Sequence, residues 1–319
     1  MKRAGLLVAV ATAAAIGLSG CGGGADGASA AGTELTIQAS PVADYAALYV
    51  GIEQGMFAAQ GLNVKSSVGQ SGAATVAAVM SGEIAVGGSA VVPLINASAR
   101  NVPVRLVAPA GTSADGDKDY IGLVVAPDSK VAGPADLTNA NVAVNGLKSF
   151  LELVTRKAID TAGGKSEGTK FLDMPNSEMQ RAVQRGQVDA AVMNEPFLSQ
   201  AKSAGLKVIG FPNKAVSKDL LVSGYFVSEQ YAKQNPQVIQ KLQTAFAAAQ
   251  DYANEHPDEV RKILETNSKV AKGSLQQVQL PRYVKNIDKS VLDDTITTMK
   301  QYGFIEKPVK ADDFLLGAS

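Results

Sequence analysis

The sequence predicts an α/β protein of two similar lobes around a cleft, and three observations carry that prediction. The first is an internal echo. Ala182–Phe197 reads AVQRGQVDAAVMNEPF and Ala78–Ala90 reads AVMSGEIAVGGSA, and setting Gly82 on Gly186 aligns Ala78 with Ala182 and Val79 with Val183. The second is the form of the repeated unit: a helix end, a Gly, a Glu or Gln, then a β-branched residue opening a short apolar run. Glycine stops a helix because it accepts positive φ just beyond the last turn. The apolar run reads as a buried parallel strand, and ligands of open α/β sheets collect beyond the carboxyl ends of such strands. Gly88-Ser89-Ala90 and Asn194-Glu195-Pro196-Phe197 are therefore expected as facing lips of one cleft. A helix–Gly–strand unit also recurs by chance in α/β proteins. The third observation is the polar break Ala114–Asp119, ADGDKD, which separates the two halves.

A chain of 319 residues suffices for one large or two ordinary domains. Thirty basic residues balance thirty acidic ones, which argues against nucleic acid or an anionic membrane surface as the main partner. Cys21 is the single cysteine, so neither an internal disulfide nor a multi-cysteine metal site is available. No cofactor and no metal are expected. At the start, Lys2-Arg3 precedes an apolar run, Ala4–Leu18, that is too short for an ordinary membrane span. It ends in Leu18-Ser19-Gly20-Cys21, which matches the lipobox of bacterial lipoproteins. Residues 1–20 are then a signal peptide, Cys21 the site of lipid attachment, and 21–33 a Gly- and Ala-rich flexible tether. The alternative is a signal peptide that happens to contain a cysteine. The expected location is the cell envelope, on the outer face of the cytoplasmic membrane or in the periplasm. A monomer touching the membrane only through its lipid is expected.

Along the chain, Leu35–Ala39 alternates as a strand does. Asp44 is placed as N-cap of a helix from Tyr45 that carries Leu48, Ile52 and Met56 on one face. Gly61 introduces a strand, Leu62–Ser67, so a right-handed crossover and parallel pairing follow. Gln70, Ser71 and Gly72 stand at the start of the next helix, where free backbone N–H groups point outward; simple capping is the alternative for each. Ile84–Val86 and Val104–Pro109 complete the first set of strands. Beyond the polar break come strands at Tyr120–Ala126, Asn141–Val144, Thr169–Leu172 and Val188–Met193. Asn145–Ser149 caps a helix over Phe150–Ala162, and Pro175-Asn176-Ser177 caps another over Glu178–Arg185. After Lys207–Gly210, the run Leu220–Val227 reads as a strand returning to the first lobe. From Glu229 onward the pattern is helical, with Ile239, Leu242, Phe246 and Ala249 on one side of Gln237–Asn254. Val291, Ile296 and Met299 mark a last amphipathic helix. The lobes are 34–113 with 221–319, and 114–220.

Four of these segments carry a family resemblance. DYAALYVGIEQGMFAAQGLNV resembles the opening of bacterial solute-binding proteins for nitrate, alkyl sulfonates, taurine and thiamine-pyrimidine precursors. SGEIAVGGSA, PADLTNANVAVNGL and GQVDAAVMNEPF are similar to later segments of the same family, although an Asp of the second segment is not retained near Ala85. The resemblance spans about Leu35 to Pro257. It implies a type II periplasmic-binding-protein fold, with hinge-linked lobes and a C-terminal helical segment. It also implies a protein that closes on a small molecule and passes it to the permease of an ABC importer. Carried onto this chain, the ligand-binding positions are Asp44, Gln70, Ser71, Gly72, Ser89 and Ala90 from the first lobe, and Asn145, Gly146, Asn194 and Glu195 from the second. For Glu195 a helix-start cap is the alternative, and Lys148 reads as a solvated charge.

The rival function is an enzyme, because the same family includes a pyrimidine-making protein. That chemistry leans on histidine, and here His256, in a polar helix junction read as surface, is the only one. No Ser-His-Asp set or His/Cys metal cluster can be assembled; an Asp44–Glu195 carboxylate pair stays open on spacing alone. A ligand-sensing lipoprotein without a transporter is the third reading. The candidate pocket holds two carboxylates and only Lys148 as a cation. A nitrogen-bearing heteroaromatic or zwitterionic ligand is therefore expected ahead of nitrate or a plain sulfonate.

Overall fold

Two five-stranded sheets divide the chain between them. The computed structural model describes residues 32–69, 71–114, 118–268 and 278–316; the signal peptide, Cys21, most of the tether and Gln70 lie outside the described residues. The first sheet is built from β1 (Thr33–Gln38), β2 (Leu62–Ser67), β3 (Val86–Ala90), β4 (Val104–Pro109) and a later strand, Ser223–Ser228. After a two-residue strand β5 (Gly111–Thr112), the chain enters the second sheet. That sheet holds β6 (Ile121–Val125), β7 (Asn141–Val144), β8 (Lys170–Asp173), β9 (Ala190–Asn194) and β10 (Lys207–Gly210) in the order β10-β6-β9-β7-β8. Ser223–Ser228, here β11, then returns to the first sheet and gives it the order β2-β1-β3-β11-β4. β1 runs parallel to β2 and β3, whereas β11 lies antiparallel between β3 and β4.

The echo in the sequence has a structural counterpart. Helix α2 (Gly72–Met80) precedes Gly82 and β3, and helix α5 (Asn176–Gln184) precedes Gly186 and β9. Both glycines hold positive φ, +78° and +65°, so each closes its helix in the conformation that side chains disfavour. One unit sits in each sheet.

Two expectations need correction. The strand expected over Ile84–Val86 begins only at Val86 and runs through Gly87-Gly88-Ser89 to Ala90, because these residues pair with Ser223–Phe226 of β11. The glycines serve packing: a Cβ on Gly88 would lie 2.8 Å from the Tyr45 ring and one on Gly87 2.6 Å from the Phe226 ring. The part after Glu229 is not wholly helical either. A short β12 (Arg282–Tyr283) pairs antiparallel with β5.

The predicted helical face is buried as expected. Helix α8 (Pro236–Glu255), which follows the short α7 (Glu229–Gln234), buries Ile239, Leu242, Phe246 and Ala249 against α1 (Ala46–Glu53) and the first sheet. Phe246 meets Phe57 edge-on at 5.2 Å and stacks on Tyr225 at 3.9 Å. The same helix donates from Gln250 Nε2 to the Pro109 carbonyl at 2.5 Å and from Gln243 Nε2 to that of Val107 at 3.1 Å. It thereby braces the end of β4. After α9 (Pro257–Ser268), a second bracing helix, α10 (Lys289–Gln301), packs on α3 (Val91–Ala99) beside the first sheet and on α4 (Phe150–Thr161) beside the second.

Candidate functional site

Asp44 sits where the two sheets meet. It was expected to cap a helix, but Ala43–Tyr45 form a 3-10 turn preceded by Val42, and α1 begins only at Ala46. That turn rotates the carboxylate inward, to 3% exposure. Oδ1 accepts from the Tyr120 hydroxyl at 3.0 Å and from Ser223 Oγ at 3.2 Å, and Oδ2 accepts from Asn194 Nδ2 at 3.2 Å. Ser223 belongs to the first sheet, Asn194 to the second, and Tyr120 follows the crossing between them. The backbone repeats the junction: Ala43 N–H donates to the Glu195 carbonyl at 3.0 Å, and the Tyr283 hydroxyl donates to the Ala43 carbonyl at 2.8 Å. Burial raises the Asp44 carboxyl above its usual range, while these hydrogen bonds oppose the shift. Burial also holds the hydroxyls of Tyr45, Tyr120, Tyr225 and Tyr283 well above the usual phenol range, so all four remain neutral.

Asn194 and Glu195 part company. Successive residues at a strand end face opposite sides. Asn194 turns towards Asp44 and also accepts from Asn176 Nδ2 at 3.5 Å. Glu195, fully buried, turns towards helix α6 (Phe197–Ser203) and accepts from Ser199 N–H at 2.9 Å and Ser199 Oγ at 2.8 Å. The helix-start cap is thus what its side chain does. Glu195 also takes the Gln279 N–H at 3.4 Å, and it lines a cavity of about 330 Å³ with Lys118, Asp119, Leu198, Lys202, Phe211 and Gln279. Burial pushes Glu195 up to about 7 and Asp119 up to about 6. Weighed as a catalytic pair, Asp44 and Glu195 carry their carboxylates into different hydrogen-bond sets.

The remaining candidates fall into two groups. Ser71 caps α2, accepting from Ala74 N–H at 3.2 Å. Gly72 lies close beside buried Ser89, where a Cβ on Gly72 would come within 2.5 Å of the Ser89 Oγ. Ala90, half-buried, precedes α3. In the second group, exposed Asn145 and half-buried Gly146 follow β7, and Ser149 rather than either of them caps α4. Lys148 uses its backbone N–H to reach Glu152 Oε2 at 2.7 Å. The structure adds Tyr120, Ser223, Asp119 and Asn176, which sequence reasoning left out of the site. Only Asn176 carried a signal, having been read as a helix cap. Among the described residues no group of three or more His, Cys, Asp or Glu could hold a metal ion. His256 is half-buried rather than exposed, and its ring stacks on Tyr252 at 3.8 Å.

Comparisons with known proteins agree with this architecture. Residues 42–260 match the family model described as NMT1/THI5 like. The formylaminopyrimidine-binding protein of Halalkalibacterium halodurans is 24% identical over 302 residues, covering 88% of each chain. The alkanesulfonate-binding protein SsuA of Xanthomonas axonopodis pv. citri, solved with MOPS, superposes with a TM-score of 0.76 at 17% identity, over 90% of this chain and 99% of that one. The periplasmic nitrate-binding protein NrtA of Synechocystis PCC 6803 gives 0.73 at 17% identity, over 88% and 84%. The fold is therefore that of the two-lobed periplasmic binding proteins.

Proposed function

The chain belongs to the NMT1/THI5-like family, and on that premise we propose that it is an extracytoplasmic solute-binding protein that delivers a small molecule to an ABC importer. The observation that carries the reading is the knot at Asp44. It joins first-sheet Ser223 to second-sheet Asn194 beside the strand ends, where closure of one lobe on the other would be felt. The moving bodies are 34–113 with 221–319, and 114–220, turning about the connections that follow β5 and β10. The protein binds its solute without turning it over, and it acts as a monomer held at the membrane by lipid on Cys21.

The ligand is a nitrogen-bearing heteroaromatic or zwitterionic compound. Asp44 and Glu195 are buried carboxylates that would repel an anion or have to take up a proton beside one, and the Halalkalibacterium relative is named for a pyrimidine. A sulfonate or nitrate is the second reading, favoured by the names of the two solved neighbours and by Lys118 and Lys202 in the wall of the Glu195 cavity. Calorimetry with aminopyrimidines, taurine, alkyl sulfonates and nitrate decides between them. Tight binding of an aminopyrimidine, with contraction in small-angle scattering, is expected. Tight nitrate binding unaffected by Glu195→Gln would reverse the order. Unchanged palmitate labelling after Cys21→Ala would remove the anchor.

A further inference from the structure

We propose that Asn176 is a specificity-determining residue of the second lobe, which selects ligands carrying an N–H or O–H donor. The proposal rests on the solute-binding reading above and adds to it a rule of hydrogen-bond polarity.

Asp44 accepts hydrogen bonds on both of its carboxyl oxygens. Oδ1 is occupied by the Tyr120 and Ser223 hydroxyls. Oδ2 faces the Asn194 amide, which can offer it nothing but its NH2 group, here at 3.2 Å. The Asn194 carbonyl oxygen must then face the other way, where it accepts from Asn176 Nδ2 at 3.5 Å. This in turn fixes the Asn176 amide with its carbonyl oxygen turned away from Asn194. That oxygen is buried and has no hydrogen-bond partner among the described residues. One carboxyl group that accepts on both oxygens therefore sets the orientation of two successive amides, and the last presents an unmatched acceptor.

The position of that acceptor suits a ligand contact. Asn176 is the first residue of α5, three residues beyond the carboxyl end of β8. β8 is parallel to β7, and β7 to β9, so the loops after all three strands gather along one edge. Ligands of open α/β sheets collect there. A buried acceptor without a partner discriminates by what it lacks: an N–H satisfies it, whereas nitrate or a sulfonate brings only further acceptors. Turning the Asn176 amide to greet an anion would break its bond to Asn194 and set two carbonyl oxygens against each other.

The test uses two pyrimidines of equal shape, 4-amino-2-methylpyrimidine and 2,4-dimethylpyrimidine, titrated into the full chain by calorimetry. The wild type should prefer the amine at least tenfold. Asn176→Ala should bring that ratio near one, and Asn194→Ala, which removes the group that orients the Asn176 amide, should lower it as well; circular dichroism confirms that both variants are folded. Retention of the preference by Asn176→Ala overturns the proposal. Equal binding of the two pyrimidines by the wild type also overturns it, yet leaves the solute-binding function standing. Binding of nitrate or an alkanesulfonate with neither pyrimidine bound overturns the proposal together with the nitrogen-bearing ligand, and leaves the solute-binding function standing.

Discussion

At Glu195 a carboxyl group with an ordinary value of 4.5 is pushed to about 7 by burial. Below pH 4.5 the folded and unfolded chains both carry the proton, and the native state keeps its full advantage. Between 4.5 and 7 only the native state holds it, and as pH climbs through 7 a buried group must ionise and the advantage is lost. Asp119, on the same cavity and raised from 3.8 to about 6, contributes with the same sign over a lower window. Glu195→Gln removes the larger contribution while keeping an acceptor for Ser199. Urea unfolding at pH 4.5 and pH 8 should show the stability of the variant rising relative to wild type by on the order of 2–3 kcal/mol between the two. An unchanged difference would mean that water reaches the carboxylate. At this scale the sequence located residues better than it aimed them. Asn194 and Glu195 were both visible as a strand end, but which of two neighbours faces the lobe junction depends on strand register. Asp44 was found and given the wrong task, since a turn of 3-10 helix delays α1 by a residue and swings the side chain inward.

Helix α10 presents a different kind of contact, one that bridges helices packed beside the two different sheets. It packs on α3 and α4, and just beyond its end the Tyr302 hydroxyl donates to Asp160 Oδ2 of α4 at 2.7 Å. Lys157 Nζ adds a bond to Gln301 Oε1 at 3.3 Å. Asp160 is held below the usual carboxylate range by this hydroxyl together with Ser166, whose N–H and Oγ lie at 2.7 and 2.9 Å. Tyr302→Phe removes one donor and leaves the Ser166 bonds intact. Unfolding should change by about 1 kcal/mol; we propose that this tie is made only in the closed form, so ligand affinity should fall severalfold in calorimetry. Equal affinity in the variant would place the contact outside the closing motion. Long amphipathic elements such as α8 and α10 were legible because a 3.6-residue period accumulates over many turns. The extension of β3 was not, because Gly87-Gly88 reads as a turn until the rings of Phe226 and Tyr45 are seen to require it. Two-residue β12 is too short to show any period.

In the whole molecule, the echo around Gly82 and Gly186 correctly announced one helix–strand unit per sheet. What it could not announce is that the two sheets are assembled from the chain in unlike ways. The second sheet is drawn from one uninterrupted run, Ile121–Gly210, whereas the first requires Ser223–Ser228 to be slotted between β3 and β4. A chain emerging amino end first therefore offers β1 to β4 long before the strand that joins β3 to β4 exists. Closing that gap brings together residues more than a hundred positions apart, and contacts of such separation form slowly. The second sheet, drawn from the middle of the chain, should thus mature before the first. Pulse-labelled hydrogen exchange during refolding should find amides of β6, β7 and β9 protected ahead of those of β3 and β4, and simultaneous protection would contradict that order. Until β11 arrives, β3 and β4 are open edges able to pair with other chains. The interval between making residue 109 and residue 223 is then the period in which a chaperone matters most to this protein.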